Sequence, residues 1–235
     1  VIEFGARFGT SSCALAAATN NSGRVVSVDV DRRIHKALLM NRDTQRCNVN
    51  VVMGSVSEKP IMIDPAPNNG YSLQSKGAVN PSVAVPHLRL AQVERMLGIK
   101  FNAVLIDCEG CIDLILEQPG FLAQLELIMI EEDQPLTADY QKWHGRLRAE
   151  GFELRWRLRD TLFRHDDAHR AWSSVLYYTA WVRAGARRPP VPSCEEYAVT
   201  KGLHKFHHVP VSHRYERRPR TKRPLGIDCA PEPSG

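Results

Sequence analysis

Acidic residues recur in one kind of place in this chain, just after short runs of β-forming apolar residues. Glu3 follows Val1 and Ile2, and Asp29 and Asp31 follow the run 24–28. Asp107 and Glu109 follow the run 103–106, and Glu131 and Glu132 follow 125–130. If these runs are neighbouring parallel strands, the carboxylates gather along the edge where open α/β sheets bind ligands. Carboxylates there can accept two hydrogen bonds from a vicinal diol, or take a proton from a hydroxyl group. Asp29 sits about 20 residues past a glycine turn, the spacing at which ribose hydroxyls are gripped. Asp31 suits the cap of the helix that follows.

The turn is Gly5-Ala6-Arg7-Phe8-Gly9. It lies between the first apolar run and the small-residue run 10–18, which reads as a helix. Strand, glycine turn and helix form the layout of a nucleotide-binding first βα unit. Gly5 suits a tight turn off the strand. Gly9 suits a close approach of helix or ligand to the backbone.

The elements that must position these residues alternate. Strands are expected at 24–28, 48–53, 61–63, 103–106 and 125–130, and helices at 34–41, 90–97, 112–116 and 138–150. Two late strands, 152–158 and 173–183, have no clear helix between them and suggest an antiparallel edge pair. The fold class is therefore α/β, Rossmann-like and mainly parallel. The stretch 64–86, rich in Pro, Asn, Gly and Ser, reads as a long loop or a hairpin over the site. The charged stretch 159–171 reads as a second loop. Gly54, Ser55 and Val56 follow the third strand and fall on the same edge.

Charge divides the chain. Of 31 basic and 26 acidic residues, the last 52 residues hold 10 and 5, so residues 1–183 are balanced. We read 1–183 as one domain and 184–235 as a largely disordered basic tail, holding 8 of the 15 prolines. Arg187, Arg188 and the basic stretch 214–223 could touch nucleic acid or acidic lipid. A solvated tail is the simpler reading, and no other stretch carries a nucleic-acid signal. Its histidines, His204, His207, His208 and His213, lack a paired cysteine motif, so no metal site is assigned there. No apolar run reaches the ~18–20 residues of a membrane span. The chain begins directly on a core strand, so an upstream segment is expected. The six dispersed cysteines are expected mostly as thiols, which favours a cytoplasmic setting. Cys108 and Cys111 have the spacing of a dithiol redox site, but the chain lacks the short layout of redox domains.

Three stretches resemble the FkbM-type family of S-adenosylmethionine-dependent methyltransferases. They are Glu3-Phe-Gly-Ala-Arg-Phe-Gly9, Gly23-Arg-Val-Val-Ser-Val-Asp29 and Leu105-Ile-Asp107-Cys-Glu109-Gly110. The third is the most specific, and Ile128–Glu131 falls where the family has a fifth strand ending in glutamate. Arg7 stands where the family has Asn, Val30 where it has Pro, Leu105 where it has Lys, and Ile112 where a second Glu follows. Cys108 and Cys111 occupy positions the family fills with small apolar residues.

The resemblance implies O-methylation of a hydroxyl on a sugar or natural-product-like small molecule. Glu3, Gly5, Ala6, Arg7 and Gly9 would hold the methionine half of the cofactor, with Arg7 able to reach its carboxylate. Asp29 would hold the ribose, and Gly54, Ser55 and Val56 would border the adenine. Asp107 and Glu109 would face the acceptor, either as base, with Glu132 and His144 as further candidates. A metal-assisted variant would gather Asp107, Glu109 and Glu131 or Glu132 around Mg²⁺. No fixed ligand spacing supports it, and no metal is assigned. Two other readings share these features: a nicotinamide-dependent oxidoreductase, and a degenerate methyltransferase domain acting as a binding module. Arg7 interrupts the glycine spacing that the first requires. Retention of Asp107 and Glu109 argues against the second.

Overall fold

A computed structural model describes residues 1–65, 73–77, 85–108, 110–132, 138–160 and 176–187. The tail from 188 onward, with its histidines, Cys194 and Cys229, lies outside the described residues. So do Glu109, the greater part of the loop expected at 64–86, and most of the loop expected at 159–171.

The first half is built on β1 (Ile2–Phe4), α1 (Thr10–Ala18), β2 (Val25–Asp29), α2 (His35–Thr44) and β3 (Val49–Met53). β1 and β2 are buried along their whole length, the mark of strands covered on both faces. The small residues of α1 let the helix lie close to β2 and β3, with Ser12 and Ala16 buried beneath it. α2 contributes Leu38, which joins Ala6 and Ile34 in a small core of its own.

An insertion follows, with β4 (Ser55–Val56), β5 (Ile61–Pro65), β6 (Leu73–Gly77) and β7 (His87–Leu88). β5 and β6 form an antiparallel hairpin, and β4 pairs with β7 in parallel. The hairpin was one of the two readings of this stretch.

The second half holds α3 (Leu90–Leu97), β8 (Ala103–Ile106), α4 (Ile112–Leu116), α5 (Phe121–Gln124), β9 (Leu127–Glu132), α6 (Tyr140–Ala149), β10 (Phe152–Asp160) and β11 (Leu176–Arg183). α6 buries Tyr140, Trp143, His144 and Leu147, at the i, i+3, i+4, i+7 spacing of one helix face. Its first turn is capped by Asp139, whose side chain accepts the Lys142 N–H at 2.9 Å. Trp143 and Trp181 are fully buried in the main core, with Ile112, Ile128, Ile130 and Leu147.

Seven strands form one sheet in the order β10-β11-β9-β8-β1-β2-β3. The expected Rossmann-like, mainly parallel α/β sheet is what the chain forms. β1, β2, β3, β8 and β9 pair in parallel. The late antiparallel pair stands at one edge, and its arrangement is more specific than the pattern of residues implied. β11 inserts between β9 and β10 and runs antiparallel to both, so β10 forms the edge. β11 is thus the one reversed strand of this sheet.

The cysteines depart from expectation. Cys13 pairs with Cys47, and Cys108 with Cys111, so all four described cysteines are disulfide-bonded rather than thiols. The sequence places one pair at no recognisable spacing and the other between β8 and α4, and only the fold brings Cys13 of α1 to Cys47 before β3. The ground for expecting a cytoplasmic setting goes with the thiols. Among the described residues no helix is long and apolar enough to cross a membrane.

Candidate functional site at the carboxyl edge of the sheet

β1 is flanked by β2 on one side and β8 on the other, so the strand order reverses between β1 and β8. Doubly wound sheets open a ligand crevice at the carboxyl ends of such strands. The chain places there the Gly5–Gly9 turn after β1, Asp29 at the end of β2, Gly54 after β3, and Asp107 after β8.

The glycine turn is held from within. The N–H groups of Gly5 and Ala6 both donate to the Val28 carbonyl, at 3.0 and 3.2 Å, and Gly9 N–H donates to Ala6 at 2.8 Å. Arg7 N–H donates to Asp29 Oδ2 at 2.7 Å. Gly5 has φ 90° and presses on β8: a Cβ built there would fall inside the Asp107 carbonyl. Gly9, at φ 82°, abuts the Leu38 side chain, where a Cβ would lie 2.8 Å from Cδ1. Both glycines therefore serve close approach of backbone to neighbouring elements. Arg7 also takes the left-handed conformation, with φ 46°. Asn is the non-glycine residue that adopts it most readily.

Asp29 is 6% exposed. Its Oδ1 accepts the Asp31 N–H at 2.8 Å, and its backbone carbonyl lies 3.0 Å from His35 Nε2. Burial pushes its carboxyl above the ordinary aspartate range, and the two backbone N–H groups pull it partly back. Asp31 turns instead to Arg33, which meets it at 2.8 Å on the surface, and Asp31 Oδ1 also accepts the Arg33 N–H.

Glu3 is fully buried under α1. Its Oε2 accepts the hydroxyls of Ser12 on α1 and Ser27 on β2, at 2.5 and 2.6 Å. Oε1 has no partner among the described residues. The side chain thus ties the first helix to the sheet directly below the turn.

Gly54 N–H donates to the Asp29 carbonyl at 2.9 Å, and Ser55 N–H to Pro86 at 2.9 Å. Ser55 and Val56 are buried. A Cβ on Gly54 would strike the Pro86 carbonyl, so the insertion closes tightly over the end of β3. Asp107 N–H donates to the Phe4 carbonyl at 2.9 Å, locking the tips of β1 and β8 together.

A second polar group lies at the end of β9. Glu132 Oε1 sits 2.8 Å from His144 Nε2, and Arg157 approaches Oε2 at 3.4 Å. Glu132 and His144 are both buried, and the His144 ring lies 5.0 Å from that of Trp181. The Arg157 guanidinium stacks over Tyr177 at 3.8 Å. Sequence reasoning singled out Glu132 and His144 but missed Arg157. Its signal was the alternation of Arg155, Arg157 and Arg159 along a strand. Among the described residues no group of three His, Cys, Asp or Glu gathers to hold a metal ion.

No family model matches the chain, and no curated protein matches it. It is similar to several solved structures. One is an O-methyltransferase from Bacillus cereus in complex with SAH, 13% identical, covering 77% of this chain and 73% of that one at a TM-score of 0.45. A second is a precorrin-6y C5,15-methyltransferase from Geobacter metallireducens, 12% identical, with 78% and 80% covered at 0.43. A third is an uncharacterized protein from Listeria monocytogenes serotype 4b, 10% identical, with 87% and 75% covered at 0.46. At these identities and scores the likeness assigns no family to the chain.

Proposed function

We propose that the chain is an S-adenosylmethionine-dependent methyltransferase of the FkbM type that methylates a hydroxyl oxygen of a sugar or natural-product-like small molecule. The observation that carries the reading is the meeting of the glycine turn with Asp29 at the strand switch. Each Asp29 oxygen accepts one backbone N–H and keeps a lone pair, a pair of acceptors that fits the two hydroxyls of a ribose. The three motifs that resemble the family all end on this edge.

Asp29 would hold the ribose, and the backbone of Gly5, Ala6, Arg7 and Gly9 would line the methionine half. The N-terminus of α1, which has no side-chain cap, favours a carboxylate there. Glu3 acts from beneath, as a positioning residue that keeps α1 and the turn in place. Gly54, Ser55 and Val56 would border the adenine. When bound, the cofactor supplies a methyl group already activated on a sulfonium. The chain's task is therefore to orient the acceptor oxygen and receive its proton. Asp107 and Glu109 would do so. Mg²⁺ is not required by this reading.

Calorimetric titration with S-adenosylhomocysteine and, in parallel, NAD⁺ tests it. Binding of the first alone, weakened by about 1–3 kcal/mol in Asp29→Ala, is expected. Binding of NAD⁺ alone would replace the reading with a dehydrogenase. Binding of neither would favour a degenerate domain.

A further inference from the structure

We propose that Cys108 and Cys111 form a reversible dithiol–disulfide site at the tip of β8, opened by dithiol reductants through the Cys108 sulfur. The inference goes beyond the function proposed above, because methyl transfer makes no use of thiol chemistry.

The two disulfides do different jobs. Cys13–Cys47 joins α1 to the segment between α2 and β3 across a sequence separation of 34. Closing so long a loop removes much freedom from the unfolded chain. Cys108–Cys111 spans a separation of 3 and ties no two elements that β8 and α4 do not already hold. Loop closure there contributes far less to folding. Its place matters more than its stability. It follows directly after Asp107 and closes a ring that includes Gly110, at φ 86°. The Cys108 Cα lies 3.2 Å from the Cβ position of Gly5, so the ring rests against the glycine turn.

The two sulfurs are unequal. Cys111 stands at the N-cap of α4 and is 5% exposed, packed in the main core, whereas Cys108 is only partly buried. Exchange proceeds at the sulfur an external thiolate can reach. One thiolate of a dithiol attacks Cys108 Sγ, the Cys108–Cys111 bond breaks, and Cys111 leaves as a thiolate that takes up a proton. The second thiolate of the reductant then attacks its own sulfur in the mixed disulfide. Cys108 is released and protonated. Two electrons and two protons pass to the chain, and the reductant becomes a disulfide. An oxidised dithiol reverses every step.

The test is graded dithiothreitol treatment of the full chain, followed by alkylation and peptide mass spectrometry, with tryptophan fluorescence recorded alongside. Cys108 and Cys111 are expected to label together at a dithiol concentration at least about tenfold below that which labels Cys13 and Cys47, a tenfold step being about 30 mV for a two-electron couple. Fluorescence should hold, and oxidised dithiothreitol should restore protection. In Cys111→Ser, glutathione disulfide should add to Cys108; in Cys108→Ser, addition to Cys111 should be much slower. Opening together with Cys13–Cys47, opening only with loss of the fluorescence signal, or thiols that do not re-form the bond would each overturn the proposal. Equal addition to the two single variants would overturn the assignment of Cys108 as the point of attack.

Discussion

The backbone N–H of Arg7 donates to the carboxylate of Asp29 at 2.7 Å, and this bond joins the glycine turn to the tip of β2. Arg7 makes it from a left-handed conformation, φ 46°. An L-residue other than Asn or Gly pays roughly 1–2 kcal/mol to sit there. Arg7→Asn keeps the backbone donor and relaxes the conformation. It should raise stability to urea by about 0.5–1 kcal/mol. A fall instead would show that the arginine side chain contributes more than the strain costs.

The same carboxylate predicts a pH dependence. Burial, opposed by two N–H bonds, holds the Asp29 carboxyl above its ordinary value of 3.8. The folded protein therefore binds the proton more tightly than the unfolded chain. Asp29's contribution to stability is complete below the ordinary value and is lost as pH rises through the raised one. The stability of the wild type minus that of Asp29→Asn should fall over that interval and then level off. Urea titrations at several pH values read it directly. A difference that grows with pH would show that the hydrogen bonds outweigh burial.

Glu3 offers a pair of variants with opposite expectations. A glutamine oxygen can replace Oε2 and accept from both Ser12 and Ser27, while its amide nitrogen replaces the unpartnered Oε1. Glu3→Gln should stay within about 1 kcal/mol of the wild type, since two neutral bonds replace two charge-assisted ones and a buried charge is removed. Glu3→Ala leaves two buried hydroxyls without an acceptor and a void between α1 and the sheet. It should cost about 2–4 kcal/mol. Homocysteine-product affinity in Glu3→Gln should change less than about threefold, as a positioning role requires. A large loss in a well-folded Glu3→Gln would instead give Glu3 a direct contact.

The two glycines of the turn should rank clearly. Ala at position 5 would drive Cβ into the Asp107 backbone, which is itself bonded to Phe4, and neither strand tip can yield alone. Ala at position 9 meets only the end of the Leu38 side chain, which can move. Gly9→Ala should cost about 1–2 kcal/mol, mostly backbone conformation, and Gly5→Ala at least about 3 kcal/mol. Equal costs would mean that the strand tips separate more easily than their hydrogen bond suggests.

Much of the fold was legible because it rests on local pattern. Apolar runs, small-residue helices and glycine turns announce themselves over a few residues, so α1, α3, α4 and β8 have the bounds the residues implied. The acids at the strand ends were visible for the same reason. Reading them as one edge needed only the rule that alternating strands and helices make a parallel sheet.

What the tertiary structure decided is how those residues meet. Sequence places Glu3 and Asp29 alike, at strand tips beside a glycine turn. Only packing shows one carboxylate sealed beneath α1 and the other at the crevice between two backbone donors. The insertion of β11 between β9 and β10 depends on hydrogen-bond partners far apart in the chain, as does the bond from Cys13 to Cys47. Arg157 of β10 and His144 of α6 each meet Glu132 of β9, and no spacing along the chain encodes that meeting. Local propensity sets which segments become strands and helices, whereas side-chain contact is a property of the pairing among them.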